Sequence, residues 1–91
     1  MAIAEQTVLI ENKLGLHARA ATKLAKLSQN YQAKILLDID GKSATADSIM
    51  GLMLLTGSQG KTVHIRAEGN EAELALTAII QLFSDKFDEA E

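Results

Sequence analysis

The sequence predicts an α+β domain in which helices cover one face of a mostly antiparallel sheet, in the order β-α-β-β-α-β-α. Short β-branched runs alternate with longer segments of helical periodicity, and an Asp-Gly pair at 40–41 indicates a hairpin. The 91 residues include no proline, and 47% of them are hydrophobic, which is enough for one core. We therefore expect a single domain over residues 1–91.

The first half of the chain predicts a strand, a helix and a hairpin. Residues 7–10 are apolar and β-branched, which favours a strand, and residues 12–15 connect it to the helix. The buried stripe of that helix, at spacings of three and four, is predicted to be Ala20, Leu24, Leu27 and Tyr31. Residues 33–39 predict a second strand, and the chain returns through the Asp-Gly turn as a third strand over 42–45.

The second half predicts two helices on either side of a fourth strand. Asp47 or Ser48 is a suitable N-cap for a short helix that runs to residue 53, and residues 62–67 alternate like a half-buried strand. Asn70 is expected to cap the last helix, with Glu73 completing a capping box. The buried stripe predicted for that helix consists of Ala72, Leu76, Ile79, Phe83 and, by extension, Phe87.

Composition excludes several classes of site. The chain has no cysteine, hence no disulfide framework and no thiolate nucleophile, and its two histidines are too far apart in sequence to indicate a metal site. We expect neither a metal nor another cofactor. No apolar run is long enough to span a membrane and the N-terminus lacks a signal-peptide pattern, which favours a soluble cytoplasmic protein.

Charges are distributed unevenly along the chain. Between residues 12 and 37 there are five basic side chains and no acidic one, whereas residues 67–91 carry seven acidic side chains and one lysine. The basic region fits the attraction of an anionic group or an acidic partner, or else it is an ordinary solvated helix face. The acidic balance of the whole chain and the lack of an aromatic platform argue against nucleic-acid binding.

His17 is the strongest candidate for chemistry. It lies where the first strand gives way to a helix, and a helix start binds anions because its first N–H groups have no intrahelical partner. A phosphorylated imidazole there would face the backbone at Ala18 and the guanidinium of Arg19, which makes charge-assisted contacts to phosphoryl oxygens. The pattern indicates a phosphohistidine site, and the alternative is a histidine that merely begins a helix. His64, on the polar side of a strand, is expected to have no catalytic role.

Two separated motifs resemble one known family. Residues 15–19 are Gly-Leu-His-Ala-Arg and residues 48–53 are Ser-Ile-Met-Gly-Leu-Met, which together resemble the HPr phosphocarriers of the bacterial phosphotransferase system. The resemblance covers nearly the whole chain, and the flanks at 12–15 and 82–89 are similar to the nitrogen-related branch of that family, NPr. One departure is Ala20, which stands where many family members have a proline, a residue favoured in the first helical turn.

The resemblance implies both a fold and a role. The fold would be an open-faced β-sandwich of four antiparallel strands with three helices on one side. His17 would be phosphorylated on Nδ1 by a phosphoenolpyruvate-dependent enzyme I and would pass the group to a histidine of an EIIA-type protein, with Arg19 assisting. The protein would be a monomeric carrier in a relay rather than a self-sufficient enzyme.

The resemblance also implies a docking surface beside the histidine, on which methionines suit adaptable contacts. The residues expected to contact the partners are Ile49, Met50 and Met53 of the short helix and Thr22 and Lys23 of the first helix. Ser48 matches a serine that a dedicated kinase phosphorylates in some family members, although its residue type favours a plain N-cap.

Three other functions stay open on the sequence alone. They are an HPr of sugar transport, a regulatory module that docks in a phosphorylation-dependent way, and an autonomous phosphotransferase. The last is disfavoured because the chain has no phosphate-cradling Gly-rich loop and no paired acid and base. The flanks that resemble NPr favour the nitrogen-related branch over sugar transport.

Overall fold

A four-stranded sheet and three α-helices make up residues 2–89, the part of the chain that the computed structural model describes. The elements in chain order are β1 (Ile3–Leu9), α1 (Ala18–Ser28), β2 (Lys34–Ile39), β3 (Lys42–Thr45), α2 (Ile49–Leu54), β4 (Thr62–Glu68), α3 (Ala72–Ser84) and a 3₁₀ turn (Lys86–Asp88). The strands are ordered β1-β4-β2-β3, and neighbouring strands are antiparallel. The predicted class and element order are confirmed.

The sheet has one buried face and one polar face, as strand alternation predicts. The residues that the two central strands bury against the helices are Ile35, Leu37, Ile39, Val63, Ile65 and Ala67. On the opposite face His64 and Arg66 are exposed. His64 Nε2 lies 2.8 Å from Glu5 Oε1 and its Nδ1 lies 3.2 Å from Thr7 Oγ1, so its contacts are cross-strand contacts to β1.

The helices bury the stripes that their periodicity predicts, with one exception. All four residues predicted for α3 itself are buried, and in α1 both Ala20 and Leu24 are fully buried while Leu27 is half-buried. Tyr31 lies beyond the end of α1 and packs against the core from the following loop. The α2 helix has only six residues, and of these Leu52 alone is buried.

Two predicted boundaries were wrong for identifiable reasons. The first strand begins at Ile3, four residues earlier than its apolar run, because β1 is an edge strand whose pairing to β4 buries few side chains. The last helix begins at Ala72 with Glu71 at the N-cap position, so Asn70 is not its cap. Glu71 makes no side-chain cap either, because its carboxylate accepts a hydrogen bond from the backbone N–H of Gln32 at 2.8 Å.

Phe87 is buried in the core as predicted, but it does not extend the stripe of α3. It is fully buried and packs edge-on against Phe83, with ring centroids 4.8 Å apart, but it lies outside α3. Lys86, Phe87 and Asp88 all have positive φ angles between 55° and 62°, so the chain reverses sharply after the helix. This reversal brings residue 89 to the beginning of α1.

Candidate functional site

The loop before α1 holds the backbone of His17 in place. Gly15 has φ +64°, and a turn is closed by its N–H donating to the carbonyl of Asn12 at 3.2 Å. The fully buried side chain of Asn12 donates back to the carbonyl of Gly15 at 2.8 Å. Leu16 inserts into the core while its N–H donates to the carbonyl of Gly57 at 2.8 Å. The residue before His17 is therefore held by both its side chain and its backbone.

His17 occupies the N-cap position of α1 in an extended conformation, and its carbonyl accepts the first helical hydrogen bond, from Ala21, at 2.9 Å. Its ring does not cap the helix, so it is free to make other contacts. Within residues 2–89 no acceptor faces the N–H groups of Ala18, Arg19 or Ala20. Among the described residues, the helix start next to the ring therefore has the kind of unpaired N–H donors that bind anions.

Glu89 lies directly against the ring of His17. Its Oε2 is hydrogen-bonded to His17 Nε2, and its Oε1 accepts a hydrogen bond from Asn12 Nδ2 at 3.1 Å. The side chain of Glu89 is 13% exposed and that of His17 is 25% exposed, so the pair is partly shielded from water. The segment that carries Glu89 is held on α1 by Lys23, whose Nζ donates to the carbonyl of Phe87 at 2.7 Å.

The environment of Glu89 favours its charged form. Burial alone would raise the pKa of its carboxyl, but the hydrogen bonds from His17 and Asn12, and the positive charge of Arg19, lower the pKa below the ordinary value. The carboxylate is therefore ionised at neutral pH and acts only as an acceptor. Asn12 Oδ1 is buried without a hydrogen-bond partner among the described residues, so the amide is held through its NH₂ group alone.

The other residues predicted around His17 have differing environments. Arg19 is exposed and forms no hydrogen bond or ion pair within residues 2–89. Thr22 Oγ1 donates to the carbonyl of Ala18 at 2.7 Å. Lys23 of α1, predicted as a docking residue, contacts residues 86–89, which follow α3 and which we call the tail segment: its Nζ donates to the carbonyl of Phe87 and lies 3.7 Å from Asp88 Oδ2. Ser48 is the N-cap of α2, since its Oγ accepts from the N–H of Gly51 at 3.0 Å.

An apolar surface lies on α2. Ile49, Met50 and Met53, the three predicted docking residues of this helix, are 40%, 71% and 41% exposed, whereas Leu52 between them is buried. Two further large apolar side chains, Leu14 and Leu54, are about as exposed as Met50 and were not singled out from the sequence. We call Ile49, Met50, Met53 and Leu54 the α2 patch.

Sequence reasoning missed Asn12 and Glu89. The position of Asn12 in a loop carried no periodic signal, and only its buried amide shows that it organises the turn. Glu89 is separated from His17 by 72 positions, and in the sequence it is only one of seven acidic residues between positions 67 and 91. No metal-binding cluster occurs in the described range, and none of its helices is long and apolar enough to cross a membrane.

Known proteins share this fold and sequence pattern. The family model described as the PTS HPr component phosphorylation site matches residues 4–85. The chain is 49% identical over 86 residues to the phosphocarrier protein NPr of Shewanella violacea, with 94% of each chain covered. It is 40% identical over 85 residues to the phosphocarrier protein HPr of Xylella fastidiosa, covering 93% of this chain and 96% of that one. The crystal structure of HPr-C-His from Thermoanaerobacter tengcongensis superposes with a TM-score of 0.92 at 40% identity, covering 97% of this chain and 99% of that chain.

The close approach at Gly15 predicts a large effect of adding one methyl group. A Cβ at this position would lie 2.1 Å from the carbonyl oxygen of Gly57, so Gly15→Ala should reduce the free energy of unfolding by about 2 kcal/mol or more. Gly41→Ala is the matched control, because Gly41 also has a positive φ but a Cβ there meets nothing within 4 Å. Urea unfolding measures both. Equal losses in the two variants would contradict a steric role for Gly15.

The contacts of Glu89 predict an acid-dependent loss of stability. Because its pKa in the folded protein is below the ordinary 4.5, its contribution is complete above pH 4.5 and is lost as the pH falls through the lower folded value. At neutral pH Glu89→Gln should therefore be less stable than the wild type by about 1 kcal/mol, and the difference should shrink in acid. Denaturant unfolding between about pH 3 and pH 7 measures it. A difference that does not change with pH would contradict the assignment.

Proposed function

The chain belongs to the HPr family, the phosphocarriers of the phosphotransferase system, and we propose that His17 is the residue that carries its phosphoryl group. It would receive the group from a phosphoenolpyruvate-dependent enzyme I and pass it to a histidine of an EIIA-type protein. The observation that carries this proposal is the partly exposed ring of His17 at the start of α1, beside backbone N–H groups that have no acceptor among residues 2–89.

The surroundings of His17 suit an anion that must arrive and leave. The N–H groups at the start of α1 and the positive end of the helix dipole stabilise phosphoryl oxygens. Arg19 is exposed and unpaired within the described residues, so its guanidinium is available for a charge-assisted contact, alongside the N–H of Ala18. Holding the group too tightly would trap the carrier, since only interactions stronger in the transition state speed transfer. An incoming partner would complete the site.

The nitrogen-related branch is the proposed context. The NPr of Shewanella violacea is 49% identical to this chain, against 40% for the HPr of Xylella fastidiosa, which favours the nitrogen branch over sugar transport. Residues 1–91 would then act as one monomeric cytoplasmic domain, without a cofactor, in a relay between two partner proteins. Sugar transport is the second candidate, because relatives named HPr are also similar over nearly the whole chain.

The α2 patch is proposed as the partner-docking surface. Its exposed members Ile49, Met50 and Met53 lie on a helix that packs beside α1, and unbranched methionines adapt to more than one partner surface. Thr22 and Lys23 of α1 would border this surface. Phosphorylation of Ser48 would replace the hydroxyl that caps α2 with a charged group, so a modification there would disturb the patch directly.

The carrier role predicts a single acceptor. Incubation with phosphoenolpyruvate and a nitrogen-branch enzyme I should add one acid-labile phosphoryl group, seen by intact mass, and His17→Ala should abolish it while the fold is retained. His64→Ala is the control and should still be labelled, because His64 is on the opposite face of the sheet. A sugar-branch enzyme I is tested in parallel. Slower labelling by that enzyme supports the nitrogen branch, faster labelling assigns the protein to sugar transport, and labelling of His17→Ala would refute the site.

Docking through α2 predicts a loss of affinity from one charge. Met50→Asp places a carboxylate on the most exposed member of the patch and should weaken binding to enzyme I by roughly 10-fold or more. Leu74→Asp is the matched control, since Leu74 is 61% exposed on α3, outside the patch. Titration calorimetry measures both variants. Unchanged affinity for Met50→Asp, or an equal loss for Leu74→Asp, would contradict docking through α2.

A further inference from the structure

We propose that Glu89 is a positioning residue that holds the His17 ring in the tautomer with its proton on Nε2, leaving the lone pair of Nδ1 as the nucleophile. The inference rests on the proposed role of His17 and goes further, because it assigns a task to the tail segment.

The tautomer follows from the donor and acceptor inventory of the pair. A carboxylate has no proton to give, so the hydrogen bond between Glu89 Oε2 and His17 Nε2 requires the ring nitrogen to donate. In a neutral imidazole the other nitrogen then has a free lone pair. His17 Nδ1 has no hydrogen-bond partner within residues 2–89, so it is the nitrogen available for attack.

The structure fixes the carboxylate as well as the ring. Asn12 Nδ2 holds the second oxygen of Glu89, and the buried Asn12 side chain is itself held by the carbonyl of Gly15. The tail that carries Glu89 is anchored in the core by Phe87 and on α1 by Lys23. None of these contacts uses an N–H group of Ala18, Arg19 or Ala20, so within residues 2–89 the ring is positioned while the donors at the start of α1 stay without an acceptor.

The hydrogen bond between Glu89 and His17 also has a role during transfer of the phosphoryl group. The lone pair of Nδ1 forms the new N–P bond while the bond from phosphorus to the donor breaks and its electron pair leaves with the donor. The Nε2 proton stays in place, so the ring gains one positive charge. The carboxylate of Glu89 faces that charge across the Nε2–H bond and stabilises it, as an oriented carboxylate does for a developing imidazolium.

Replacing the carboxylate by an amide tests this arrangement sharply. In Glu89→Gln the amide oxygen faces Asn12 Nδ2, which can only donate, and the new NH₂ group faces His17 Nε2. The ring must then accept a hydrogen bond at Nε2 and carry its proton on Nδ1, the nitrogen whose lone pair must be free for attack. Glu89→Ala merely removes the constraint. Glu89→Gln should therefore slow phosphoryl acceptance from enzyme I more, by roughly 100-fold, than Glu89→Ala, by roughly 10-fold.

The experiment combines ¹⁵N NMR of the ring at alkaline pH, which reports the tautomer without any donor, with the rate of acceptance. We expect the Nε2–H form in the wild type, the Nδ1–H form in Glu89→Gln, and an unchanged His64 signal in both. Asp88→Asn is the control, because Asp88 is acidic and on the same segment but contacts Lys23. It should keep the wild-type tautomer and rate.

Several outcomes would overturn the proposal. A wild-type ring with its proton on Nδ1 refutes it, and so does a rate for Glu89→Gln equal to that of Glu89→Ala or Asp88→Asn. An equal loss in all three variants would show that the tail acts only by its packing. If the wild type accepts no phosphoryl group from any enzyme I, the proposed function fails, while the NMR result still decides the tautomer.

Discussion

The candidate site depends on one close approach between two backbone segments, Gly15 and Gly57. Only a residue without a Cβ fits at position 15, where the chain has a positive φ and lies against a carbonyl oxygen. This contact lets Leu16 enter the core and bond to the same carbonyl, which in turn sets the first residue of α1. The orientation of His17 is therefore a consequence of packing between the loop before α1 and the loop after α2.

Two opposite charges share the neighbourhood of the ring. Arg19 and the helix start attract an arriving anion, whereas the carboxylate of Glu89 repels it while favouring a positive ring. A site with both charges would bind a phosphoryl group less tightly than the helix start and the guanidinium alone. Such a balance suits a phosphocarrier, which must release the group that it accepts. If either the free or the phosphorylated form were much lower in free energy, transfer in one direction would be slow.

The sequence predicts the elements of this fold better than the contacts between distant segments. Alternation identified the central strands, and the Asp-Gly turn placed β3 over its four residues. The local sequence does not show that Glu71 accepts a hydrogen bond from Gln32 instead of capping α3, because Gln32 lies in a loop 39 positions away. For the same reason local order in the sequence singles out His17 and Arg19 as candidates, whereas the contact between Asn12 and Glu89 and the contact between Glu89 and His17 depend on segments far apart in the chain.

The small size of α2 has a consequence for the binding of partners to this protein. A six-residue helix that buries one side chain opens at little free-energy cost, so its amides should exchange with solvent far faster than those of β4. The apolar side chains that it exposes are thus carried by a short helix that has little buried surface of its own. Association through α2 would order that turn, with an entropic penalty that keeps complexes short-lived even where the buried area is apolar.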